Sequence, residues 1–343
     1  MKTRVIFESR PSAQIKALVK AQSRGDAVLL DGGLGQADLS LLRGRARVLT
    51  LAGGEEVKRW SELARILAFL ADQQIERGAT LYVVGGGALC DVGALAASLY
   101  RRGIGLVLVP TTLLAAADAS LGGKCAVDLL QEGRLFKNVV GAFYPARELW
   151  ISPAWWSSLN PRERRSGVAE VIKILWLHGK SFDADGLRPW LAGQKQKAPA
   201  LEKMLKQAIV LKAAIVKKDP MDQSGIREQL NFGHSIGHAL ESLGRGDLSH
   251  GEAVAWGMWA ECEVVKSPFA KKIRQLLENL NYPRPMIAAS PEEWLRFLKQ
   301  DKKIKAKKLP LTVLQGPGKR KVFWLSPELV AKKASQLFIE LAR

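Results

Sequence analysis

The chain predicts a doubly wound α/β domain followed by a mainly α-helical one. Three observations carry that expectation. Up to about residue 150, short aliphatic runs alternate with segments of helical apolar spacing, the βαβ pattern of a parallel sheet. Beyond it, nearly every long segment has helical periodicity. The length of 343 residues suits two domains at roughly 150 residues each.

The elements follow in order. "RVIFES" (4–9) and "AVLLDGG" (27–33) read as buried strands joined by a helix around 12–22, and "ARVLTLAGG" (46–54) as a third strand. "KRWSELARILAFLADQQIERG" (58–78) reads as a helix stopped by Gly78. "TLYVVGGG" (80–87) is a strand ending in glycines, "ALCDVGALAASLYRRG" (88–103) a helix and "LVLVPTTLL" (106–114) a strand. The boundary is expected at 152/153. Helices are then expected over 153–179, 201–219, 228–243, 251–265 and 270–280, with short strands near 311–314 and 321–324.

Composition narrows the function classes. Hydrophobic residues make up 47% and charged residues 25%, ordinary for a soluble globular chain. The most apolar long stretch, 81–100, carries Asp91 and four glycines and makes a poor membrane span. The first residues lack the apolar core of a secretory signal. Three cysteines, an odd number without metal-type spacing, point to a reducing compartment, hence a cytoplasmic protein without a disulfide framework. The net charge of +19 could attract nucleic acid, anionic lipid or a phosphorylated substrate. The basic residues are dispersed, however, and the densest runs, 302–308 and 319–321, lack interleaved aromatics or a nucleic-acid-binding motif. A solvated basic surface is the favoured reading.

Four constellations could carry chemistry. "VVGGGALCDVG" (83–93) places glycines between strand and helix, where a phosphate can meet free helix N–H groups; position 90 is cysteine, so the dinucleotide fingerprint is not met, and a tight turn without ligand is the alternative. "VPTTLLAAADASLGGKC" (109–125) offers two hydroxyls, Asp118, and Lys124 on a glycine pair; it suits an anionic group or is a polar turn, but it is not a P-loop, because Cys125 stands where Ser or Thr is required. In "GVAEVIK" (167–173), Glu170 and Lys173 share a face of an otherwise apolar helix, either as a salt pair or with the carboxylate ligated. In "LNFGHSIGHALES" (230–242), His234 and His238 lie one turn apart, and His250 follows in "LSHGEAVAWGM". Ser235 follows His234 where a zincin needs Glu, which disfavours a metalloprotease. Two or three histidines with a distant carboxylate could form an open catalytic zinc site, or the pair could be a plain helix face.

Taken together, "GGEEVK", "GGGALCDVGALAASLYRRG", "VPTTLLAAADASLGGK", "KNVVGAFY", "GVAEVIK", "REQLNFGHSIGHALE" and "HGEAVAWGM" resemble the 3-dehydroquinate synthase family, within the sugar-phosphate cyclases, in order and spacing over nearly the whole chain. The resemblance implies a Rossmann-like NAD-binding α/β domain, a helical metal-binding domain with the active site between them, and a homodimer. It implies conversion of 3-deoxy-D-arabino-heptulosonate 7-phosphate to 3-dehydroquinate with loss of phosphate, NAD being used and regenerated, and zinc, replaceable by cobalt, as the metal. By the same resemblance Glu170, His234 and His250 match metal ligands. His238, Lys173, Asp118, Lys124, Asn138, Lys212, Arg227 and Asn231 match catalytic or substrate-contacting positions. Arg102 matches an arginine that reaches the partner subunit's phosphate pocket, and Lys302 or Lys303 an active-site lysine. Asp31, Glu55, Lys58, Gly86, Gly87, Asp91, Thr111, Thr112 and Lys137 match NAD contacts.

Two departures stand out. Where the family has a short "VNHPLGKN", this chain has "VDLLQEGRLFKN", read as a longer loop with Asp128 in place of asparagine. The C-terminal region is divergent and unusually basic. Three rivals remain: a sibling cyclase making another ring, which Arg227 and Asn231 in "RxxLN" disfavour; a metal-dependent polyol dehydrogenase; and a basic binding module that has lost the reaction, against which the intact Glu170, His234, His250, Lys173 and Asp118 argue.

Overall fold

Aliphatic runs with no polar alternation belong in a sheet covered on both faces, and such sheets are parallel. The structure, a computed structural model, describes residues 3–8, 10–35, 37–194, 198–301 and 303–342. Lys302 therefore lies outside the described residues. The chain divides into two compact units, Met1–Leu159 and Asn160–Arg343, slightly beyond the boundary expected at 152.

Unit 1 comprises β1 (Arg4–Phe7), α1 (Pro11–Gln22), β2 (Ala27–Asp31), β3 (Val48–Leu51), α2 (Trp60–Asp72), β4 (Thr80–Gly85), α3 (Gly87–Leu99), β5 (Gly105–Pro110), β6 (Lys124–Gln131), β7 (Arg134–Phe143) and β8 (Glu148–Ile151). Among the described residues, six strands form a sheet in the order β1-β8-β5-β4-β2-β3, every pairing parallel. β3 and β4 lie on opposite sides of β2, so the winding reverses between β2 and β4. Ligand crevices of open α/β sheets form at such a reversal, outside the carboxyl ends of the strands. Leu30 pairs with Val84, which puts Asp31 and Gly85 side by side at that mouth.

Two expectations in this unit are corrected. The helix expected over 88–103 ends at Leu99, because Arg101 (φ 49°) and Arg102 (φ 62°) take left-handed backbone and Gly103 follows at φ 112°. The segment read as a longer loop, 128–136, is instead a β-hairpin, β6 against β7. Glu132 (φ 50°) and Gly133 (φ 73°) form its two-residue tip, the left-handed pair that matches strand twist.

Unit 2 holds α4 (Pro161–Leu177), α5 (Arg188–Leu191), α6 (Pro199–Lys218), α7 (His234–Leu243), α8 (His250–Val264), α9 (Ala270–Asn279), α10 (Pro291–Leu298), the antiparallel pair β9 (Leu309–Gly316) and β10 (Lys319–Leu325), and α11 (Pro327–Ala342). The long helix expected from 153 is broken at Asn160, which caps α4 in a reciprocal box with Glu163, with Pro161 opening the helix. α10 and α11 were not expected. They close the core through Trp294 and Phe338, fully buried rings stacked at 5.2 Å. No helix among the described residues is long and apolar enough to cross a membrane.

Candidate functional site

The carboxylate of Glu170 is the starting point in unit 2. It sits mid-helix on α4, 0% exposed, and neither oxygen accepts a hydrogen bond among the described residues. Lys173 Nζ lies 2.5 Å from Oε2, an ion-pair approach without hydrogen-bond alignment, so the pair seen in the sequence exists but leaves the carboxylate unsatisfied. The Lys173 ammonium offsets part of the cost of burying this charge, and Oε1 remains without a hydrogen bond. His234 Nε2 stands 3.6 Å from Oε1. That is close to the separation of about 3.3 Å expected for two light-atom ligands of one tetrahedral zinc.

The three histidines gather beside it. One ring nitrogen from each of His234, His238 and His250 lies within 4.8 Å of the other two, close enough to share a metal ion. Their outer partners differ. His234 Nδ1 meets the Phe232 carbonyl at 3.2 Å, and His250 Nδ1 meets Glu241 Oε2 at 3.1 Å. A carbonyl or carboxylate can only accept, so both rings carry their proton on Nδ1 and present a lone pair at Nε2, the arrangement of metal-bound histidines. No hydrogen bond to the His238 ring is found among the described residues. Burial, then Lys173 and the other two histidines, holds the His234 imidazole well below its ordinary pKa. His238 keeps one edge open to solvent, and crowding by protein, His250 and Lys303 lowers it too. Neutral imidazoles are what a metal requires. The donor set fits a divalent ion: three histidine nitrogens lie within 4.8 Å of one another, and the Glu170 carboxylate stands beside His234.

Glycines let the helices come this close. A Cβ at Gly257 would lie 2.1 Å from the Gly233 carbonyl oxygen, and one at Gly251 would lie 2.1 Å from the Ser166 carbonyl oxygen. Thus α8 meets α7 and α4 backbone to backbone. Gly233 itself (φ 80°) starts α7 and has Val254 and Met258 where a side chain would go. Glu261, fully buried on α8, accepts from the amides of Gly233, Ser235 and Ile236. Burial pushes its carboxyl up to about 7, against those hydrogen bonds.

The cationic candidates of unit 2 surround this centre by element. Lys212 is buried on the inward face of α6, and Arg227 is buried in the 3-10 turn Ile226–Asn231 that also carries Asn231. Both elements pack on α4. Lys303 pairs with Asp301 at 2.9 Å and is among the charges acting on His234, His238 and Glu261.

In unit 1 the candidates gather around α3. The helix opens at Gly87 with Gly86 before it and no side-chain cap, so its first N–H groups remain available to an anion. Asp31 at the end of β2 accepts from Gly33 N at 2.9 Å, in space that Gly53 leaves: a Cβ there would fall 2.6 Å from its Oδ1. Lys58, buried in the turn Glu55–Lys58, donates to Asp91 Oδ2 at 2.6 Å and to Asn138 Oδ1 at 2.5 Å. It thereby ties two expected NAD contacts to an expected substrate contact. Burial raises the Asp91 carboxyl to about 6 although Lys58 opposes it; Glu55 and Asp118 add to the rise, so they share the same neighbourhood. Asp118 lies in a π-helical turn, Ala115–Ala119, after Thr111 and Thr112. Asn138 (φ 52°) is held by its amide on Asp128 Oδ1 at 2.7 Å, so the residue that replaces the family's asparagine orients the strained one. Lys124, Lys137 and Arg102 are exposed.

Sequence reasoning missed Glu241, Glu261 and the role of Asp128. Glu241 was within reach, since it stands three residues after His238 and seven after His234, on one helix face. Glu261 gave no local signal, because its partners belong to another helix.

A parallel sheet with a glycine turn at its winding reversal, joined in one chain to helices that gather histidines and a buried carboxylate, defines the class of metal- and dinucleotide-type α/β–helical enzymes. The particular family comes from comparison. Residues 48–166 match the family model described as 3-dehydroquinate synthase N-terminal, and residues 167–304 the one described as 3-dehydroquinate synthase C-terminal. The 3-dehydroquinate synthase of Pyrobaculum aerophilum is 39% identical over 301 residues, 84% of this chain and 84% of that one. That of Methylacidiphilum infernorum is 36% identical over 301 residues, 83% of this chain and 81% of that one. The chain belongs to the 3-dehydroquinate synthase family. Among solved structures, a 2-deoxy-scyllo-inosose synthase complexed with carbaglucose-6-phosphate, NAD+ and Co2+ superposes with TM-score 0.81 at 24% identity, covering 97% of this chain and 96% of that one. A 2-epi-5-epi-valiolone synthase from Streptomyces hygroscopicus with NAD+ and Zn2+ bound superposes with TM-score 0.83 at 21% identity, covering 99% and 97%.

Proposed function

We propose that this chain is a 3-dehydroquinate synthase acting on 3-deoxy-D-arabino-heptulosonate 7-phosphate, as a homodimer. The observation that carries the reading is the 39% identity to a named 3-dehydroquinate synthase over 84% of both chains, against 21–24% to the sibling cyclases of the same fold. Bound NAD would supply a hydride acceptor restored in each cycle, and a divalent zinc or cobalt ion the Lewis acidity that acidifies a hydroxyl.

The chain's own residues do the rest. Glu170, His234 and His250 hold the metal. Asp31, Glu55, Lys58, Gly86, Gly87, Asp91, Thr111, Thr112 and Lys137 hold the dinucleotide, its phosphates on the uncapped start of α3. Lys124, Lys212, Arg227 and Arg102, with Lys303, bind the carboxylate and phosphate of a doubly anionic substrate; fixed cations there cost no reorganisation as charge moves to the leaving phosphate. Asn138 and Asn231 orient its hydroxyls. His238, the histidine whose ring is unbonded, exchanges a proton with substrate, and Asp118 and Lys173 position the reacting carbons. With the C5 hydroxyl oxidised, the proton on C6 becomes acidic and its loss expels phosphate from C7. Once the C5 hydroxyl is restored, ring opening and an intramolecular aldol closure give 3-dehydroquinate. Atoms balance with one phosphate released and no net redox change.

The test is product analysis by NMR with NAD and zinc present. The heptulosonate phosphate is expected to yield 3-dehydroquinate and sedoheptulose 7-phosphate to yield nothing. Turnover of sedoheptulose 7-phosphate alone would overturn the reading in favour of a sibling cyclase.

A further inference from the structure

Glu261 is a buried acid that neither metal ligation nor substrate binding uses. It stands eleven residues after His250 on α8, about three helical turns, so both project from the same face of the helix. Its side chain is 0% exposed. Oε2 accepts from Gly233 N at 2.8 Å; Oε1 accepts from Ser235 N at 2.9 Å and Ile236 N at 3.2 Å. Those are amides that the start of any helix leaves unpaired. α7 cannot satisfy them itself, because its cap residue is Gly233, with no side chain to offer.

The bracket is specific in where it falls. Gly233 and Ser235 are the two neighbours of His234. One carboxylate therefore grips the backbone on both sides of a metal-ligand candidate, while the Phe232 carbonyl fixes the rotation of its ring from the other end. When ionised, the carboxylate also sits at the positive end of the α7 dipole, where negative charge is favoured.

We infer that Glu261 is a positioning residue for the metal centre: it sets the direction in which His234 presents Nε2, and so tunes metal affinity and geometry. This rests on the metal reading given above. A role confined to holding α7 folded would change stability alone. A positioning role also changes the metal's affinity and its ligand field.

The experiment compares the wild type with Glu261→Gln and Glu261→Ala. Zinc affinity is read by chelator competition, ligand geometry by the visible absorption of the cobalt-loaded protein, and folding by far-ultraviolet circular dichroism. The Gln variant keeps one acceptor oxygen and the volume. It is expected to fold, to bind zinc about 10- to 100-fold more weakly, as loss of outer partners typically does, and to shift the cobalt bands. A folded Gln variant with wild-type affinity and wild-type cobalt spectrum overturns the inference alone. A wild type that binds neither metal overturns the metal reading, and the inference with it. Should both variants fail to fold, hydrogen exchange on the metal-free wild type decides: Ser235 and Ile236 amides as protected as the α8 core support the bracket, and amides exchanging like loop residues overturn it.

Discussion

The two units build their candidate sites by opposite means. Unit 2 puts its groups on helices pressed together backbone to backbone at Gly251 and Gly257, with Glu170, His234 and Glu261 buried. Unit 1 puts most of its groups on turns and strand ends, two of them, Arg102 and Asn138, in left-handed backbone. The contrast follows from what each is proposed to hold. A metal tolerates little variation in ligand distance, so its ligands need a rigid frame whose outer contacts are also fixed. A dinucleotide is met by many weak donors, and a glycine turn at a sheet reversal supplies backbone N–H groups that no side chain obstructs.

The harshest way to break the contrast is steric. Gly257→Ala puts a methyl 2.1 Å from the Gly233 carbonyl oxygen, and the helices must part. A loss of about 3 kcal/mol or more is expected, a fall of some 6–12 °C at roughly 2–4 °C per kcal/mol. Gly86→Ala in unit 1 meets nothing nearer than Thr112 Cγ2 at 3.5 Å. It should cost under about 1 kcal/mol while weakening NAD binding. Scanning calorimetry on both checks the pair, and equal losses would remove the claimed difference in rigidity.

Ligand deletions come next. Glu170→Gln, His234→Ala and His250→Ala are each expected to fall from about one bound zinc per chain to almost none and to lose activity at least about 1,000-fold, with the circular dichroism spectrum kept. His238→Ala should retain zinc and lose turnover. Metal analysis by mass spectrometry separates these. Zinc loss in His238→Ala with retention in Glu170→Gln would replace the carboxylate by a three-histidine set.

A smaller effect concerns the strained hairpin. Asp128→Ala removes the acceptor of the Asn138 amide and should cost about 1 kcal/mol. It should also lower kcat, since Asn138 is then free to leave φ 52°. Asp128→Asn, which keeps an oxygen, should behave as wild type.

Smallest is a pH effect at Asp91. Its carboxyl is raised to about 6, so the folded state binds a proton that the unfolded chain has already released between the ordinary carboxylate range and pH 6. This contribution to stability is complete below that range and is lost as pH rises through about 6. Urea titrations across that interval should show the decline, and Asp91→Asn should flatten it.

Much of this was legible in the residues themselves. Alternating aliphatic runs and glycine ends revealed the sheet, because burial on both faces leaves a continuous apolar strand. His234, His238 and Glu170 could be singled out because helix spacing is local. Most of what escaped was set by contacts distant in sequence. Glu261 looks like any glutamate on α8 until α7 is laid against it, and Asp128 looks like a loop acid until β7 folds back. The 128–136 hairpin was misread for a related reason: without a partner strand, its Glu-Gly pair looks like any exposed turn. α10 and α11 were passed over although their signals are local: Ser290 and Glu293 form a capping box with Pro291 opening α10, and Val330, Ala334, Phe338 and Leu341 recur at helical spacing in α11.

The measurement that bears most directly on the central claim is phosphate release from the heptulosonate phosphate, with NAD and zinc supplied together or singly, while the NADH absorbance band is followed. The account predicts release only when both are present, with no net NADH accumulating. Steady NADH without phosphate would contradict it and make the chain a dehydrogenase; release that ignores either cofactor would contradict the transient-oxidation chemistry itself.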